Sequence, residues 1–217
     1  MTAAGKALAL FDFDGTLTRK DTFFRFHLFS RGPFRLLSAC AALLGRACRA
    51  LRFDRNFLKA AMMERLWKNV PRGEYEEAAR RFALSRVEGL LRPVAFGVFL
   101  RHVERGHDVC VVTASMKDWI APWASKYGVP VIGTELETME GRLTGRLSTP
   151  NCWGPEKTAR IEQALDLKKY DKIYAYGDSR GDAEMLALAD EKIYRWDHVP
   201  ADLGPLTPRK RCTLFAK

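Results

Sequence analysis

ALALFDFDGTLT, residues 7–18, is the stretch on which the fold turns. Ala7 to Phe13 form an apolar run broken only by Asp12, without the alternation of a half-exposed strand, and so predict a strand of a parallel sheet covered on both faces. At its end Asp12 and Asp14 stand two residues apart, just before Gly15. Residues at that spacing in extended chain face the same side, so the two carboxylates can share a cation and divide their roles. One stays ionised as nucleophile or ligand, while the other serves as general acid and base. Asp and Gly also form ordinary turns after strands, so this pair needs support from elsewhere in the chain.

A second acidic group supplies it. In YAYGDSRGDAEML, residues 174–186, an apolar strand ends at Gly177 and Asp178, and Asp182 follows where a helix opens. Four carboxylates at the ends of two strands repel one another unless a cation lies between them, and oxygen donors without His or Cys select Mg²⁺. Two features fit an anion beside that cation, although Thr and Ser at a helix start also serve as caps and a lysine there also serves as a surface residue. The strand through Val111 and Val112 ends in Thr113, Ala114 and Ser115, whose hydroxyl and N–H groups at a strand-to-helix step can hold phosphate oxygens. Lys157 stands early in a helix, the end where a cation is disfavoured unless an anion is close.

Further apolar, β-rich runs at Val109 to Thr113, Val129 to Ile132, Lys172 to Tyr176 and Lys192 to Trp196 alternate with helical patterns, which predicts an α/β fold around a parallel sheet. Between the first two runs, Lys20 to Leu91 read as helices only, with breaks at Gly32-Pro33 and Pro71-Arg72-Gly73. That is far more chain than a parallel crossover needs, so the expected division is a core of residues 1–19 and 92–217 with a helical insert over 20–91. Residues 133–154 read as a hairpin turning at Glu140-Gly141.

Composition narrows the classes. With 217 residues and 47% hydrophobic content, the chain can bury a substantial core. Five cysteines without CxxC spacing suit reduced thiols in the cytoplasm, and the N-terminus reads as a first strand, not a secretory signal. The net charge of +10 suits nucleic acid, an anionic membrane or an acidic substrate. Nucleic acid is disfavoured, because the arginines are interleaved with Leu and Ala instead of stacking aromatics. Between Arg31 and Arg55 lie six arginines and a single acid, Asp54, while Leu36, Leu37, Cys40, Leu43, Leu44, Ala47 and Leu51 recur at helical spacing. The apolar stretch is too short to cross a bilayer. A helix packed on its neighbours is the first expectation and contact with an anionic inner-membrane surface the second. The basic tail PRKRCTLFAK reads as a solvated end.

DFDGTLT, VVTAS, the lysine of GPEK and GDSRGDAEML, in this order, resemble the four motifs of the haloacid dehalogenase superfamily, from Asp12 to Leu186. The resemblance implies a Rossmann-like parallel core with a small helical cap inserted after the first strand, as in its phosphoserine-phosphatase-like branch. It implies a Mg²⁺-dependent phosphatase or phosphotransferase in which Asp12 forms an aspartyl-phosphate and Asp14 is the acid and base. Thr113, Ala114 and Lys157 would hold the phosphoryl group. Asp12, the backbone carbonyl of Asp14, and Asp178 would bind Mg²⁺, with Asp182 and Lys157 steadying the metal site from outside. An aspartate at position 14 sets the chain apart from the dehalogenases. Asp21, Arg25 and Ser115 are the candidate substrate contacts, and Phe23, Phe24 and Phe26 stand where the insert begins. FFRFHLF after the first motif and the Cys152-Trp153-Gly154-Pro155-Glu156-Lys157 approach to the third are similar to a bacterial group that includes phosphatidylglycerophosphate phosphatases. The expected substrate is thus a small phosphometabolite or a phospholipid of that kind.

Overall fold

The computed structural model describes residues 6–50 and 55–203. The basic tail with Cys212, residues 51–54 with Leu51, Arg52 and Asp54, and the side chains of residues 44–50, 55 and 56, lie outside the described residues.

Strand β1 (Ala7–Phe11) leads into a tight turn over residues 13–17. Three helices follow: α1 (Thr22–Ala50), α2 (Arg55–Trp67) and α3 (Arg72–Arg86). Then come α4 (Pro93–Glu104), β2 (Asp108–Met116), a single turn at Lys117–Trp119, α5 (Ala121–Ala124) and β3 (Val131–Thr134). The hairpin is β4 (Leu136–Met139) and β5 (Arg142–Leu147), and the chain continues through α6 (Pro155–Ala164), β6 (Lys172–Gly177), α7 (Ala183–Ala187) and β7 (Glu191–Tyr194).

The main sheet has the order β3-β2-β1-β6-β7 with every pair parallel. Its five strands correspond to the five apolar runs, with ends displaced by a few residues. Because side chains alternate across a strand, the sheet separates two cores. Ala7, Ala9, Phe11, Val109, Val111, Tyr174 and Tyr176 face one layer. Leu8, Leu10, Cys110, Val112, Ile173 and Ala175 face the other. Both faces are therefore apolar, which is why these strands read as unbroken runs.

The helices inserted after β1 leave and rejoin the sheet domain at one place. Arg19 N donates to Leu90 O at 2.9 Å and Arg92 N to Leu17 O at 2.8 Å, so the two connections run side by side as a short antiparallel bridge. Their interior is aromatic. Phe26 stacks on Trp67 and on Trp119, with ring centres 5.4 and 4.3 Å apart, and meets Tyr75 and Phe82 edge-on. Trp119 comes from the turn after β2, so this cluster joins the inserted helices to the sheet domain.

The hairpin β4–β5 packs on the inserted helices, a contact that local sequence pattern does not announce. Asn69 N donates to Leu143 O and Leu143 N to Val70 O, at 2.8 and 2.9 Å, and Arg72 N donates to Gly141 O at 2.9 Å. The α2–α3 connection is thereby bonded along β5 as a third strand would be. Gly145 makes the approach possible: a Cβ there would lie 2.5 Å from Glu64 Cα. Gly32 kinks α1 (φ 76°, ψ 168°) where the sequence breaks. Beyond the kink, Ala39 and Leu43 are buried, with Leu36 and Cys40 packed beside them, whereas Leu37 points outward. No helix among the described residues is long and apolar enough to cross a membrane.

Candidate active site

The site lies at the carboxyl ends of β1, β2 and β6, where open α/β sheets leave a crevice. Asp12 N donates to Tyr176 O at 2.9 Å, which fixes the first carboxylate between β1 and β6. Asp12 is buried, and Lys157 reaches it from the first turn of α6. Lys157 Nζ donates to Asp12 Oδ1 and Asp182 Oδ1, both at 2.7 Å, and to Val112 O at 2.8 Å. Only 1% of the Lys157 side chain is exposed, so its three donors are spent inside the protein. The lysine anticipated near an anion thus pairs two carboxylates.

Asp182 is fixed from its other side. Its Oδ2 accepts from Asp178 N at 3.1 Å and from Ser179 N and Oγ, both at 2.9 Å. Asp12, Asp178 and Asp182 each bring a carboxylate oxygen to within 4.8 Å of the others. Gly15 clears the way for Asp178, because it takes φ 89° and a Cβ on it would lie 2.3 Å from Asp178 Oδ2. Thr16 Oγ1 approaches the same carboxylate, 3.5 Å from Oδ1.

The electrostatics favour a cation. Burial, opposed by Lys157 and reinforced by Asp182 and Asp14, pushes the Asp12 carboxyl up to about 7. Burial and then Asp182 raise Asp178 as well. Burial also opposes ionisation of Asp182, but Lys157 and the Ser179 hydrogen bonds outweigh it and hold the group below the usual carboxylate range. One lysine among three clustered carboxylates leaves net negative charge in a buried place. An all-oxygen donor set with that charge fits a hard divalent cation such as Mg²⁺.

Asp14 has a separate set of partners. Thr22 N and Oγ1 donate to its Oδ1 and Oδ2 at 2.7 and 3.1 Å, and Ser115 Oγ donates to Oδ2 at 2.5 Å. Trp119 Nε1 donates in turn to Thr22 Oγ1 at 3.2 Å. Burial and the charge of Asp21 push the Asp14 carboxyl up to about 6, against the pull of Ser115 and Thr22. It is thus poised to take up and release a proton near neutral pH.

The remaining candidates fall in different places. Thr113 Oγ1 is buried and accepts from Ser115 N at 3.0 Å, which leaves its own hydrogen to donate. Ala114 O accepts from Thr134 Oγ1 at 2.9 Å and from Lys59 Nζ, a cation carried by α2. Lys59 also donates to Asn151 Oδ1 at 2.6 Å. Asp21 is exposed and its Oδ1 accepts from Phe23 N at 2.7 Å, while Arg25 lies partly exposed on α1. Phe23 and Phe26 belong to the aromatic interior, and Phe24 is exposed. Thr22, Lys59, Asn151 and Trp119 were not marked by any motif.

A sequence model of the haloacid dehalogenase-like hydrolases matches residues 9–187. The chain belongs to that family. The chain is thus an enzyme of the hydrolase type. Protein CicA of Caulobacter vibrioides (strain NA1000 / CB15N) is 40% identical over 197 residues, which cover 87% of this chain and 85% of CicA. A protein of unknown function from Bordetella pertussis Tohama I has a crystal structure that superposes with a TM-score of 0.73 at 25% identity, over 88% of this chain and 90% of that one. A substrate-bound phosphoserine phosphatase shares the fold at 22% identity, with a TM-score of 0.57 over 88% of this chain and 87% of the other.

Proposed function

We propose that this haloacid dehalogenase family member is a Mg²⁺-dependent phosphatase that cleaves phosphate monoesters through an aspartyl-phosphate on Asp12. The observation that carries the reading is the separation of Asp12, held by Lys157, from Asp14, held by Thr22 and Ser115. Two carboxylates two residues apart with different partners suit different tasks.

In this reading an Asp12 carboxylate oxygen attacks phosphorus, and the ester P–O bond breaks. The leaving oxygen takes the Asp14 proton. Water then attacks the phosphoryl-aspartate, gives its proton to Asp14, and releases phosphate and the Asp12 carboxylate. The Thr113 hydroxyl and the Ala114 N–H would hold phosphoryl oxygens at the end of β2. Lys157 would offset charge on the transferring group while keeping Asp12 ionised. Asp12 and Asp178, with the Asp14 carbonyl, would hold Mg²⁺, and Asp182 would orient Lys157 and the ligands. When bound, Mg²⁺ would supply positive charge to the phosphoryl oxygens. Residues 20–91 would act as a cap, with Asp21 and Arg25 at its edge available to the substrate. The substrate class is a phosphate monoester, either a small metabolite or a phospholipid headgroup.

The test is phosphate release with and without Mg²⁺ from phosphoserine, sugar phosphates, nucleotides and phosphatidylglycerophosphate in mixed micelles. Release that needs Mg²⁺ and disappears in Asp12→Asn is the expected result. Release undiminished in Asp12→Asn would refute the nucleophile, and transfer to an added alcohol in place of water would reassign the enzyme as a phosphotransferase.

A further inference from the structure

We propose that the outer face of α1 beyond Gly32 docks on an anionic lipid surface, through Phe34 and Leu37 with Arg35 beside them. Phe34 is 86% exposed and Leu37 70%, values unusual for large apolar side chains in a folded domain. They stand three apart on one side of the helix, so they form a single stripe. The stripe is not the helix's core face. Ala39 and Leu43 already bury that face, with Leu36 and Cys40 beside them. This segment of α1 is therefore apolar on two sides, and only one has a partner within the described residues.

Charge selects the occupant. Residues 22–53 contain six arginines and no acid. Arg31 is used internally, since it donates to Leu66 O and Glu74 and lies over the Trp67 ring. Arg35, next to Phe34, is exposed. A second copy of this chain would set a second exposed Arg35 near the first, in a stretch that holds no acid, and like charges oppose that pairing. Nucleic acid would meet the arginines but offers no apolar depth for Phe34 and Leu37. An anionic bilayer offers both, with Phe34 and Leu37 entering the acyl boundary and Arg35 at the headgroups.

The test is flotation of the purified chain with vesicles of phosphatidylcholine alone and of phosphatidylcholine mixed with phosphatidylglycerol. Binding to the mixed vesicles at low salt, weakened as salt rises, is expected. The double substitution Phe34→Ser with Leu37→Ser should lower partitioning at least about tenfold, and Arg35→Ala about fivefold. Both variants should keep the wild-type melting temperature and the wild-type activity on soluble esters, because among the described residues these side chains belong to neither the core nor the site. Absence of binding to the mixed vesicles overturns the inference, as does binding unaffected by either variant. A concentration-dependent dimer abolished by the double substitution would overturn it in favour of self-association. Flotation needs no turnover, so its failure is distinct from failure of the phosphatase reading.

Discussion

Ser115 Oγ donates to Asp14 Oδ2 at 2.5 Å, across 101 positions of sequence. The end of β2 thus lowers the basicity that burial and Asp21 give to a carboxylate carried by the turn after β1. Removing that hydroxyl takes away a donor that stabilises the charged form. In Ser115→Ala the Asp14 carboxyl rises further above about 6. The kcat limb that reports deprotonation of the acid should move to higher pH, with a smaller change in KM. Asp14→Asn should lower kcat by about 10²- to 10⁴-fold. A pH–rate profile identical to wild type in Ser115→Ala would show that Asp14 does not carry the proton.

Gly15 controls access to Asp178. Alanine there must displace the Asp178 carboxylate or leave its positive φ, because the new Cβ meets Oδ2 at 2.3 Å. Gly15→Ala should weaken Mg²⁺ binding by about 10- to 100-fold while the far-ultraviolet circular dichroism stays unchanged. Isothermal titration with Mg²⁺ checks this, and wild-type affinity in the variant would refute the role given to Asp178.

Lys157 joins two buried carboxylates, so its removal strands both. Lys157→Met should cost about 3–5 kcal/mol of stability in the absence of metal, read by urea denaturation. Mg²⁺ should restore more stability to this variant than to wild type, because the added charge replaces part of what was lost. Equal gains in both proteins would argue against a cation among these carboxylates.

His102 gives the protein an acid-sensitive element that is not one of the clustered carboxylates. Its imidazole is buried, with Nε2 2.8 Å from Tyr176 Oη and Nδ1 2.8 Å from His107 Nδ1. Burial, then the neighbouring His107, lowers it to about 3 from an ordinary 6.5. The unfolded chain therefore binds more protons between those values, and folding stability falls as pH drops below 6.5. The contribution is complete above pH 6.5 and shrinks by up to about 1.4 kcal/mol per pH unit within the window. Urea midpoints measured from pH 7 to 5 should slope less in His102→Gln. An unchanged slope would mean that the imidazole is not held neutral.

The sheet was legible because each strand is buried on both faces and so appears as an apolar run. The acidic pairs were legible because they sit where those runs end. Strand ends were less so: β2 continues through Ser115 to Met116, and β7 stops at Tyr194, before Arg195 and Trp196 take left-handed φ values of 56° and 58°. What the sequence conceals is contact between distant segments. Nothing local marks Thr22 as a donor to Asp14, or Lys59 on α2 as a donor to Ala114 O. Nor does periodicity separate Leu36, packed inward, from Leu37, which faces outward, because both belong to one apolar run.

The bonding of β5 to the α2–α3 connection restricts how this enzyme can be re-engineered. One route to re-engineering would be to exchange the helical segment 20–91 for that of a relative. Here helices transplanted without residues 136–147 would arrive with the amides of Asn69 and Arg72 and the carbonyl of Val70 stripped of their partners. The remaining hairpin would present an open strand edge, a template for aggregation. A functional chimera must carry both pieces, although more than sixty residues of intervening chain separate them.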